Sequence, residues 1–157
     1  MAKAGYTVRT EASVALTAAT AKSVLCVISP SNFGTDLKKL KIGFDGTAAA
    51  GVPVLCELMT STLATNSTPG TNNTACTVNQ IYGRAITAGF TGFYGSTSEP
   101  TVLTAFDSWL LTPTGGLLFY DYPLGDTPDV GVSTGIVLRC TAQANVNVRA
   151  SFTFERC

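Results

Sequence analysis

Ten residues near the end of the chain constrain its fold more than any others. Val146, Val148, Ala150, Phe152 and Phe154 alternate with Asn147, Arg149, Ser151, Thr153 and Glu155. Successive side chains of a strand point to opposite faces, so a period of two sorts these residues into one apolar and one polar face. A helix would scatter the same apolar set around its circumference. One face must be buried, and the other is wet or in a contact.

The same reading extends along the chain. Lys39–Phe44 alternates, with Leu40, Ile42 and Phe44 inward, and Asp45-Gly46 supplies a turn. Val52–Met59 reads as a strand whose Pro53, lacking an N–H, belongs near its start or on an edge. Ser23–Ile28 is continuously apolar, as in a strand buried on both faces, and Ser29-Pro30-Ser31-Asn32 ends it. Thr77–Tyr82, Ile86–Phe90, Gly116–Tyr122 and Gly135–Thr141 complete the expected strands. One short helix is expected over Val102–Leu111, where Val102, Leu103, Phe106, Trp109 and Leu110 have helical spacing between Glu99-Pro100 and Thr112-Pro113. Ala64–Thr74 reads as an exposed, mobile polar loop with no apolar anchor. Short strands separated by turns predict an all-β antiparallel sandwich or barrel. The 157 residues suit a single domain, 1–157, with a core large enough to need neither metal nor disulfide.

Charge narrows the function. Only 13% of residues are charged, against about 25% in an average domain, and the net charge is zero. Nucleic-acid binding draws its affinity from phosphate neutralisation. The only basic run, Lys38-Lys39-Lys41, is broken by Leu40 and reads as the wet face of a strand. No stretch reaches the roughly 18 apolar residues of a membrane span. Neither nucleic acid nor membrane is therefore an expected partner. A Thr-rich, charge-poor surface dehydrates at low cost and favours broad protein contact. The five cysteines (Cys26, Cys56, Cys76, Cys140, Cys157) show no CxxC spacing. Cys26, Cys56 and Cys140 sit in apolar strand patterns as small hydrophobes. With no signal-peptide pattern at Met1–Arg9, this suits a product of a reducing cytoplasm.

The sequence contains no histidine. That removes Ser-His-Asp and Cys-His nucleophiles, the histidine general base and histidine metal sites. The acids are scattered, and only Glu57 interrupts an apolar run, as an outward strand residue or an arginine partner. Asp121, Asp126 and Asp129 lack the spacing of a calcium loop, and Gly115-Gly116 lacks the Lys-Ser/Thr of a phosphate loop. No catalytic residue, metal ligand or cofactor is expected. The aromatic cluster Phe119-Tyr120-Asp121-Tyr122-Pro123-Leu124, with Phe90, Phe93, Tyr94 and Trp109, admits two readings. It is either a core strand whose hydroxyls find partners or a subunit interface, where such residues are enriched. Alternation places Phe119 and Tyr120 on opposite faces.

Several segments carry a resemblance: Ile42-Gly43-Phe44-Asp45-Gly46-Thr47, Val52-Pro53-Val54-Leu55-Cys56-Glu57-Leu58, Ala88-Gly89-Phe90-Thr91, Glu99-Pro100-Thr101-Val102-Leu103 and Asn145-Val146-Asn147-Val148-Arg149-Ala150. Together they resemble a family of small virion proteins from tailed phages of actinobacteria, over most of the chain from about residue 40 onward. The resemblance implies a jelly-roll-like antiparallel β-sandwich assembled as a homotrimer. It implies a head decoration protein that binds the major capsid protein on the capsid exterior, made in the host bacterial cytoplasm. A tail-tube, baseplate or fibre domain, with Ala64–Thr74 as a receptor loop, is the alternative. No active residues carry over. Residue type alone nominates Trp109, Tyr120, Tyr122 and Leu124 as the oligomer or capsid interface.

Overall fold

The terminal alternation becomes strand β13 (Val146–Arg156), whose Val148, Phe152 and Phe154 are fully buried and whose Val146 and Ala150 are nearly so. A computed structural model describes residues 3–45 and 51–157 of the chain. In it β13 lies at the centre of a sheet between β4 (Thr35–Asp45) and β1 (Gly5–Arg9). Beyond β4 the sheet continues with β10 (Leu118–Asp121), and β11 (Asp129–Val130) also pairs with β4. Beyond β1 lies β7 (Asn79–Tyr82), and β2 (Val14–Leu16) pairs with the start of β13. A second sheet runs β6 (Thr74–Cys76), β8 (Thr91–Tyr94), β3 (Ala21–Ile28), β12 (Gly135–Thr141), β5 (Val54–Ser61) and β9 (Leu103–Leu111). Neighbouring strands are antiparallel in both sheets. The chain is an all-β sandwich, and its one helical piece among the described residues is a 3-10 turn at Pro113–Gly115.

The inner faces meet in one core. Leu37, Leu40, Ile42, Phe152 and Phe154 of the first sheet pack on Leu25, Val27, Leu58, Ile136 and Leu138 of the second. Tyr6, Phe90 and Phe154 form an aromatic trio with ring centroids 5.0–5.7 Å apart. Ser23–Ile28 is indeed buried on both sides, because β3 has a second apolar cluster behind it. Cys26, Met59, Phe93 and Val137 form that cluster on the outer face of the second sheet, with Ile28 and Leu103 against it.

Three local expectations differ from the structure. Val102–Leu111 is not a helix, since Leu103–Leu111 is the edge strand β9. Its register on β5 shifts between Leu58 and Met59, so that Asp107 and Ala105 take successive partners and Phe106 is the extra residue of a bulge. A bulge flips the facing of the residues beyond it. Leu103 packs on the outer cluster, while Trp109 and Leu111 pack on the inner core. This switch spaces the apolar residues three and four apart, imitating a helical period. Ile86–Phe90 forms no strand but crosses the open end of the core, held by a Tyr6 hydroxyl donating to Ile86 O (3.2 Å) and by Ile86 N donating to Gln80 Oε1 (3.1 Å). The loop Ala64–Thr74 is mostly exposed, as expected, but polar contacts hold it. Asn66 Nδ2 donates to Glu99 O (3.0 Å), and Asn73 Nδ2 to the carbonyls of Thr68 and Thr71. Ser67 is buried within 3.5 Å of Ser61, and Leu63 sits beside Cys26 against Gly135. The expected turn at Asp45-Gly46 lies partly outside the described residues.

Candidate functional site

The two sheets end side by side in open edges, β9 on one and β10 on the other. Between them is a cleft of about 360 Å³ lined by Leu40, Asp107, Trp109, Leu110, Leu111, Leu118, Tyr120 and Tyr122. Three of the four residues nominated from sequence, Trp109, Tyr120 and Tyr122, therefore meet in one place. The fourth, Leu124, lies outside the lining but is the most exposed large apolar residue described, at 89%.

Each wall follows from strand geometry. In β10, Tyr120 pairs with Leu40 and takes its inward facing, whereas Phe119 pairs with Lys41 and faces out. Both faces of β10 thus carry an aromatic, but at the sheet edge, with Phe119 and Tyr120 about half exposed. The Phe119 ring lies near the Lys39 and Lys41 ammoniums, at 5.6 and 5.3 Å from its centroid. Tyr120 and Tyr122 meet edge to face at 4.6 Å. Burial pushes the Tyr122 hydroxyl up to about 12, helped by the Asp107 carboxylate and by Tyr120. Trp109 Nε1 is buried without a hydrogen-bond partner.

Asp107 is the one charged residue of the cleft lining, and exposed large hydrophobics concentrate in the neighbouring stretch of chain. Of the large hydrophobic side chains exposed among the described residues, Val102, Phe106, Leu110, Leu117, Phe119, Tyr120 and Leu124 fall within one stretch of chain, leaving only four elsewhere. Leu110 and Leu117, at 66% and 65% exposure, had no sequence signal as surface residues. Leu110 was hidden inside the apparent helix, and Leu117 follows the 3-10 turn.

Several carboxylates are engaged in structural contacts. Glu57 pairs with Arg139 at 2.9 Å, the arginine-partner reading of that residue. Glu99 accepts from Ser23 N and Oγ, both at 2.6 Å. Asp36 and Glu155 share Lys38, at 2.5 and 3.6 Å. Asp121 pairs with Lys39 at 2.9 Å. Among the described residues no group of three or more acid or cysteine side chains is placed to hold a metal ion, and no helix is long and apolar enough to cross a membrane. The chain matches no protein-family model, no curated protein and no solved structure in the comparisons made.

Proposed function

We propose that this chain is a non-enzymatic virion structural protein, a head decoration protein that binds the outside of a tailed-phage capsid and stabilises it. The observation that carries the assembly half of this reading is the apolar surface at the β9 and β10 edges, built around Trp109, Tyr120 and Tyr122. Exposed apolar side chains gathered at sheet edges mark sites of protein contact. Aromatic anchors in a partly desolvated cleft are the residues that dominate interface energetics. The virion half rests on the resemblance of the segments from Ile42 onward. A rigid sandwich suits a repeated shell site, because little ordering is lost on binding. A homotrimer would multiply weak contacts with the major capsid protein through avidity.

Cryo-electron microscopy of the particle that encodes the chain tests the location. Knobs of three copies outside the head lattice are expected. A bare head with density in the tail instead would favour the tail-tube, baseplate or fibre reading. The interface is tested separately with Trp109→Ala and Tyr120→Ala. Each is expected to lower shell binding tenfold or more, roughly 1.4 kcal/mol or above. Unchanged oligomer mass and unchanged shell binding in folded variants would remove these residues from the interface.

A further inference from the structure

We propose that Cys56 and Cys140 are an oxidisable dithiol that closes to a cross-strand disulfide joining β5 to β12. The two residues are direct partners in the antiparallel register. Their sulfurs are 3.6 Å apart, and both side chains point into the layer between the sheets. Opposed residues of an antiparallel pair have Cα atoms about 4.5–5.5 Å apart, inside the window of about 4.4–6.8 Å that a disulfide spans. The sulfurs need only move from contact to a bond of about 2.05 Å, with the backbone already in place. The other cysteines are not so arranged. Cys26 belongs to the cluster on the opposite face of the sheet, Cys76 lies on β6 with β8 between it and Cys26 on β3, and Cys157 is exposed.

Both residues of the pair are fully buried. The hydrogen bond to Cys56 and burial hold the Cys140 thiol well above the usual range, so the dithiol persists until a small oxidant enters. A hydroperoxide meets that requirement. One sulfur attacks the O–O bond as its proton passes to the departing oxygen, becomes a sulfenic acid and releases one water. The second sulfur then displaces the hydroxyl from the first as a second water. Two thiols and one peroxide give one disulfide and two waters. The link would tie residues 84 apart in sequence, at the middle of the second sheet, and so restrict the unfolded chain strongly. This inference is independent of what the protein binds.

The test uses the full chain, reduced and then exposed to hydrogen peroxide, denatured in an alkylating reagent and digested for mass spectrometry. The expected product is a peptide pair linked through Cys56 and Cys140, lighter by two hydrogens than the separate peptides and resolved by dithiothreitol. The thermal midpoint of the oxidised chain should rise by roughly 10 °C, and the rise should vanish in Cys140→Ala. Finding both cysteines alkylated as free thiols, over-oxidised without a link, or joined to other cysteines would overturn the proposal. That readout comes from the unsubstituted chain, so it holds even if the variant fails to fold.

Discussion

Glu155 concentrates the electrostatics of the sandwich in one side chain. It sits on β13 at 8% exposure, accepts from the Tyr82 hydroxyl at 2.6 Å, and faces Lys3 and Lys38 at 3.3 and 3.6 Å. Burial alone would raise its pKa, but the hydrogen bonds and the two ammoniums outweigh burial and hold it below the ordinary 4.5. A carboxyl depressed on folding contributes stability above its unfolded pKa and loses it as the pH falls through the folded one. The thermal midpoint should therefore hold from neutrality to about pH 5 and fall below that. Glu155→Gln should cost about 1–3 kcal/mol at pH 7 and flatten the acid limb, as measured by urea unfolding across pH. Trp109 behaves differently. Its buried N–H has no acceptor, so Trp109→Phe removes an unmet donor together with some packing. Its stability should stay within about 1.5 kcal/mol of the parent.

At the scale of elements, β13 matters most because it is paired on both sides and buried on its inner face. Phe152→Ala should cost about 3–5 kcal/mol in denaturant unfolding, whereas Asn147→Ala, on the outer face of the same strand, should stay below about 1 kcal/mol. β13 and much of β4 were legible in the sequence by their period of two, and β3 by its unbroken apolar run. β9 was not. Its bulge at Phe106 moves the apolar facing from outside to inside midway, and period-based reading has no means to detect such a slip. The 86–90 segment is apolar because Phe90 packs on Tyr6 and Phe154, and apolar burial alone does not require a hydrogen-bonded partner strand. Three residues of the cleft were found by residue type, since aromatics at a strand end stand out. Leu40, Leu110 and Leu118 were not, because only the adjacency of two sheet edges brings them together. That adjacency is a property of topology that no local window contains.

At the scale of the whole molecule, the sheet borders are finished by mixed means. Proteins usually blunt sheet edges with charge, proline or a covering segment, to prevent open-ended pairing. The β9 and β10 edges carry Asp107, Asp121 and a bulge, yet also the exposed Phe106, Leu110, Phe119 and Tyr120, as β7 carries Ile81 and Tyr82. A matched pair of substitutions, Leu110→Lys and Leu117→Lys, should leave unfolding free energy within about 0.5 kcal/mol. They should also abolish concentration-dependent association in analytical ultracentrifugation. An unchanged sedimentation profile in the folded double variant would mean that copies of the chain do not meet at this border.

The central place of β13 also dictates an order of events during synthesis. Strands β1, β2 and β4 all pair with a segment translated a hundred or more residues after them. On the ribosome the first sheet stays split until Val146–Arg156 emerges, and its earlier strands wait with unpaired backbone edges. The closed first sheet is therefore a late product of synthesis, completed only after every other strand has been made.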